Sequence, residues 1–243
     1  MGSAPSRVDP RGGHPTKETL QWRKRNGALV AAAAAVVAVT GSAIAAIAPI
    51  DTYADSVVPE YETVKVISPG DTIPETSDPS TQYQVVGIPD GLGAHRGRGG
   101  TRIVYMNHEL GSAVESEPTV GQPLNRGAFV SRLVLDGGGG VLSGERAYDT
   151  VYIDDTLVGP APEVGNATRA FSRFCSGSVA GPDEGFDRPI YFANEEDGTP
   201  ATTLDGEGGL SVAIFDNQAH ALTGLGRFAW ENTLVQPGTG KRP

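Results

Sequence analysis

Cys175, Glu195, Glu196 and Asp197 are the residues of this sequence with the clearest capacity for chemistry. They belong to RFCSGSVAGPDEGFDRPIYFANEED, residues 173–197, which holds the only cysteine of the 243-residue chain. The stretch ends in three adjacent carboxylates carried by the strand-like run Ile190-Tyr191-Phe192-Ala193. Adjacent carboxylates repel one another, and a bound cation relieves that repulsion. Successive side chains of a strand point to opposite faces, so Glu195 and Glu196 are expected to face differently, with only one needed at an inward site. Two readings need no metal: Cys175 as a small buried hydrophobe, and Glu195 to Asp197 as an acidic turn leading into Gly198.

Two further places carry groups of the same kind. Asn107-His108-Glu109 follows the apolar run Ile103-Val104-Tyr105-Met106, and a strand end is a rigid platform for polar side chains. Asn and Glu oxygens suit calcium, whereas His and Glu could hold iron or zinc; a capped strand end is the alternative. Gly226-Arg227-Phe228-Ala229-Trp230-Glu231-Asn232 places Glu231 between an aromatic residue and an apolar run, as a buried ligand would be. The sequence has no Walker loop, GxSxG elbow or HExxH helix. Cys175 could pair with His108 or His220 as a nucleophile, but no local signature supports it. A single cysteine cannot form an internal disulfide.

The elements expected to position these residues are short strands. With 33 Gly, 18 Pro and short apolar runs, the composition indicates a loop-rich all-β protein. Strands are predicted at residues 83–86, 101–106, 128–135, 150–153, 190–193, 210–215 and 233–235, a spacing that suits a sandwich, barrel or propeller. Asp136 to Gly140, Gly206 to Gly209 and Gly224 to Gly226 are read as turns compatible with hairpins. No helical period is found after residue 50.

The chain carries a formal charge of −10, and six basic residues lie within the first 45 positions. Beyond them 13 basic residues face 27 acidic ones. Nucleic acid is therefore excluded as a partner, because its binding rests on clustered Lys and Arg. An acidic surface suits divalent cations, or solubility alone.

Residues 1–26 are polar and basic, and Gly27 to Ile50 is almost entirely Ala, Val and Ile. Residues 1–45 thus read as an export signal cut near Ala45, or as a membrane-anchoring helix if retained. The protein is expected outside the cytoplasm, periplasmic or extracellular, with membrane contact only through this segment. Residues 46–81 form a lead-in with one strand, Thr63 to Ile67. The main domain is placed at 82–243. Asn166-Ala167-Thr168 is taken as loop sequence.

At Met106-Asn107-His108-Glu109, Cys175-Ser176-Gly177 with Glu195-Glu196, and Gly226-Arg227-Phe228 with Glu231, the chain resembles the PhoX-type alkaline phosphatases and their uncharacterised extracellular relatives. Order and approximate spacing match over residues 87–238. The resemblance implies a β-propeller that hydrolyses small phosphate monoesters using calcium and iron. It implies Cys175 as an iron-bridging ligand and Glu109, Glu195 or Glu196, and Glu231 as carboxylate ligands, with catalytic residues unassigned. Two features depart from the family: a longer acidic connection between Cys175 and Glu195, and Phe192-Ala193-Asn194 before the Glu pair. The chain also stops in mid-pattern, so an incomplete propeller and site, the N-terminal part of a longer protein, are expected. The alternative is a non-catalytic extracellular module whose acidic loops bind calcium.

Overall fold

The computed structural model describes residues Ala54–Gly238. The expected N-terminal helix falls outside them. Fourteen strands run in order: β1 Thr72–Pro74, β2 Gln82–Gln84, β3 Pro89–Arg96, β4 Arg102–His108, β5 Glu115–Ser116, β6 Asn125–Arg126 and β7 Phe129–Leu135. They continue as β8 Val141–Arg146, β9 Thr150–Ile153, β10 Thr156–Pro160, β11 Phe174–Ala180, β12 Ile190–Glu195, β13 Ser211–Phe215 and β14 Gln218–Ala221. The only helical elements among the described residues are three short 3-10 turns, so the all-β expectation holds.

Two four-stranded antiparallel meanders organise the domain. The first is β3-β4-β7-β8. The second is β11-β12-β13-β14, extended by the β9–β10 hairpin, which joins β14 in parallel to make a six-stranded sheet. The pairs β1-β2 and β5-β6 form small separate sheets. The described residues close neither a barrel nor a propeller.

β-Branched and aromatic residues in β4 and β7 favour a pleated surface buried on both faces, and those strands are largely buried. Their side chains meet the second meander in one core that includes Phe129, Phe171, Phe174, Tyr191, Leu210 and Ile214. Burying each such side chain contributes roughly 1.5–3 kcal/mol. A smaller cluster of Ile73, Tyr83, Val85, Met106, Leu133 and Leu135 packs the β1-β2 pair onto the first meander.

The sequence reading needs several corrections. Residues 63–67 and 233–235 are not strands, because neither segment acquires a ladder partner. Asp136 to Gly140 does close the β7–β8 hairpin, where the Asp136 carboxylate accepts hydrogen bonds from the Gly138 and Gly140 amides. Gly206 to Gly209 instead lies in the long β12–β13 connection, and Gly224 to Gly226 ends a 3-10 turn. The tight hairpins use glycine-free pairs. Asp216-Asn217 joins β13 to β14 with both residues left-handed, at φ 49° and 59°. Asp154-Asp155 joins β9 to β10.

β3 was not predicted because Gly91 and Gly93 obscure its strand character. Their lack of a side chain is what the packing demands. A Cβ on Gly91 would collide with the backbone of Cys175 to Gly177, and one on Gly93 would meet Val179 and Tyr191. Gly91→Ala is accordingly expected to destabilise the domain by about 1–3 kcal/mol through overpacking against backbone. Chemical denaturation checks this, and an unchanged midpoint would show that the two meanders are not so closely apposed.

Candidate functional site

The two meanders repeat one local geometry at the ends of their second strands. β4 runs into Asn107-His108-Glu109 and β12 into Asn194-Glu195-Glu196. Each is paired with a bulged neighbour. Pro89 opposes His108 and Leu92 opposes Met106, so Asp90-Gly91 faces Asn107 alone. Phe174 opposes Glu195 and Gly177 opposes Ala193, so Cys175-Ser176 faces Asn194 alone. Asp90 and Cys175 are thus equivalent positions, as are Glu109 and Glu196. Bulges re-aim side chains, and here Cys175 comes to neighbour both Glu196, beyond its own inner strand, and Asp90, its counterpart in the first meander.

Arg173 ties the two copies together. Its amide donates to the Leu110 carbonyl at 2.8 Å, and its carbonyl accepts from the Glu196 amide at 2.9 Å. Its guanidinium lies 2.6 Å from Glu109 and 3.9 Å from Glu196. These bonds hold Arg173 at φ 54°, a region that non-glycine residues seldom occupy. With the arginine half-exposed, its ion pair contributes at most about 1 kcal/mol, so its main effect is to balance charge. Burial, together with the neighbouring Glu196 and Asp90 carboxylates, pushes the Cys175 thiol up to about 12. The thiol therefore keeps its proton at neutral pH and is a poor free nucleophile.

Of the five predicted ligands, Glu109 and Glu196 meet at the Arg173 guanidinium, and Glu196 also neighbours Cys175. Glu195 does not join them. It is fully buried on the opposite face, where its two oxygens accept from the Ser172 amide at 2.8 Å and the Leu210 amide at 3.0 Å. Burial pushes its carboxyl up to about 8, against the pull of those two amides. Glu231 is exposed, contrary to the expectation of a buried ligand, although the neighbouring Trp230 amide bonds to the Glu195 carbonyl at 2.9 Å. Asp197 folds back to accept from Ser172 and Thr202.

No Cys–His pair forms. His108 is fully buried, its Nδ1–H donating to the Val86 carbonyl at 3.0 Å. Its Nε2 accepts from Ser131 at 2.6 Å, and Ser131 in turn accepts from Tyr83 at 2.5 Å. All three side chains are sealed from solvent, so this chain of hydrogen bonds is a core fastening. His220 instead bonds to Asp154 and Gln218.

Sequence reasoning missed Asp90 and Arg173. The signal for Asp90 was available in the repeated apolar strand followed by Asn-x-Glu, which aligns Asp90 with Cys175 once the strand pairing is known. Arg173 follows from no pattern, since it depends on the left-handed turn.

Among the described residues no group of three or more His, Cys, Asp and Glu side chains is arranged to hold a metal ion as it stands. The donor set still fits calcium and iron chemically, with a thiol for the softer metal and hard carboxylate oxygens for either. Beside it, the Ser176 hydroxyl is buried without a hydrogen-bond partner. Comparisons with protein families, curated proteins and solved structures find no match for this chain.

Burial lowers the His108 imidazole from 6.5 to about 4. The unfolded chain therefore takes up a proton on falling below pH 6.5 that the folded protein refuses until about 4. This one group should remove up to about 3 kcal/mol of stability over that window. NMR titration should show the His108 ring neutral at pH 5.5, and a midpoint near 6.5 would contradict the buried assignment.

Proposed function

We propose that the protein is an exported, metal-dependent, phosphatase-like β-propeller protein, acting on small phosphate monoesters where its site is complete. The observation that carries this reading is that Glu109 and Glu196, from two equivalent strand ends, share Arg173, with Cys175 beside Glu196. The matched four-stranded meanders, with β3 and β11 side by side, support reading them as two successive blades. Residues 228–235 lie against the second meander much as β11 lies against the first. Thr233 bonds to Asn194, and its carbonyl accepts from Ser178, contacts that support reading this segment as the counterpart of β11 for a further blade.

In this reading Cys175 with Glu196 would hold iron, and Glu109 with Asp90 would supply hard oxygens to calcium or iron. Glu231 stands on the segment where a further blade begins. Bound cations would neutralise the phosphoryl group and stabilise the charge that develops on it. Arg173 contributes a fixed guanidinium whose fork suits phosphate oxygens as well as carboxylates. Asn107 and Asn194 both bond to the Cys175-Ser176 bulge, and Glu195 anchors the strand end from which Glu196 projects.

Arg173 already balances two of the carboxylates, which counts against iron at this cluster and leaves a second reading: a non-catalytic extracellular module whose acidic loops bind calcium. Metal analysis of the purified protein separates the two. Iron together with calcium, with iron lost and the far-ultraviolet dichroism retained in Cys175→Ala, is the expected result. Calcium alone, unaffected by Cys175→Ala, supports the binding module and overturns the phosphatase-like reading.

A further inference from the structure

The other end of the same strands carries a different kind of surface. A cleft of about 510 Å³ is lined by His95, Arg98, Tyr105, Arg132, Arg188 and Phe215, among others. A second cavity of about 530 Å³ shares His95, Arg98, Arg132 and Pro189 with it and adds Arg96. The two form one groove across β3, β4 and β7, bounded by Arg188-Pro189 and the β13–β14 turn. Tyr105 is four residues before Glu109 along an extended strand, a separation of about 13 Å, so the groove is distinct from the Cys175 cluster.

Charge sets this groove apart. Four arginines line it, Arg96, Arg98, Arg132 and Arg188, against two acids, Glu145 and Asp216. The chain as a whole carries −10. Arg132 is paired with Glu145 at 2.6 Å, and Arg188 with Asp187 and Asp216. Among the described residues the Arg96 and Arg98 guanidiniums have no ion-pair partner. Pairing holds Arg132 and Arg188 in place, while Arg96 and Arg98 remain free to donate. A guanidinium presents a planar fork of N–H groups that matches a tetrahedral oxyanion. Tyr105, which stacks on Tyr191 at 4.9 Å, and Phe215 give the groove a firm apolar wall.

We propose that this groove binds an extended oxyanion, a short run of phosphate or sulfate groups, with Arg98 as its principal free contact. A run of charges can engage the groove along its length, since its arginines are divided between the two adjoining cavities. Binding falls with added salt, because the contacts are largely exposed.

The test is isothermal titration of the full chain with inorganic tripolyphosphate, orthophosphate and a trisulfated disaccharide, in chelator so that no cation bridges. Tripolyphosphate or the disaccharide should bind one per chain and at least about tenfold more tightly than orthophosphate. Arg98→Gln should weaken that binding about tenfold, the loss expected for one charge-assisted contact. Cys175→Ala should leave it unchanged, which separates this site from the metal cluster. Which ligand binds distinguishes a phosphate chain from a sulfated sugar as the source of the charge. Binding of neither, equal binding by Arg98→Gln, or no preference over orthophosphate overturns the proposal. Arg98 is exposed, so its variant is expected to fold normally.

Discussion

The structure depends on the side chain of Asn107. It is fully buried where the first meander meets the second, and its amide donates to the Cys175 and Ser176 carbonyls at 3.0 and 2.9 Å. Its oxygen accepts from the Tyr191 hydroxyl at 2.8 Å, and that hydroxyl also reaches the Gly91 carbonyl. A bulge removes ladder partners, and the Asn107 amide replaces them at the Cys175 carbonyl and, with a longer bond from the Asn194 amide at 3.3 Å, at the Ser176 carbonyl. Leaving such groups unpaired costs about 1–3 kcal/mol each. Asp in place of Asn107 could not donate, and an apolar residue would remove the side-chain donor from the Cys175 carbonyl and leave Ser176 with only the longer Asn194 bond. The Asn107 amide is therefore the shorter and double fastening of the bulge that presents Cys175, and it links the two meanders. Gly91 and Gly177 permit the approach, since a Cβ on either would collide with the clamp.

Repetition then makes the cluster. Each inner strand ends in Asn-x-Glu: both asparagines bond to the Cys175-Ser176 bulge, the middle residue is buried in the core, and the Glu points back to the cluster. The middle residue differs, His108 in one copy and Glu195 in the other, yet both are held by buried hydrogen bonds. Because the copies lie side by side, Asp90, Glu109, Cys175 and Glu196 share one region, and Arg173 supplies the counter-charge. Sidedness along the strand thus separates anchoring groups from presenting groups within three consecutive residues.

Much of this was legible in the sequence. β-Branched and aromatic runs located β4, β7, β9, β12 and β13, because those strands are buried and their composition reflects it. Strand alternation correctly separated Glu195 from Glu196. Strands β3 and β11 escaped notice because they follow a different constraint: their glycines serve close backbone approach between the meanders, which local composition does not report. The hairpins at Asp154-Asp155 and Asp216-Asn217 were hidden because Asp and Asn tolerate left-handed geometry without a glycine. Glu231 misled because its aromatic neighbours suggested burial, whereas Phe228 and Trp230 stack on each other at 4.1 Å and leave it exposed. Whether two sites converge depends on register between distant strands, and no single stretch of sequence encodes that.

The most direct test of the clamp is the rate at which Cys175 reacts with iodoacetamide in the metal-free protein. In the native chain the thiol is half-buried, protonated and held by the bulge, so labelling should be far slower than for a free cysteine. Asn107→Ala should release the bulge and accelerate labelling by about tenfold or more while the protein remains folded by circular dichroism, consistent with the loss of two buried hydrogen bonds. An unchanged rate in a folded Asn107→Ala variant would contradict the account, because Cys175 would then be presented by something other than this amide.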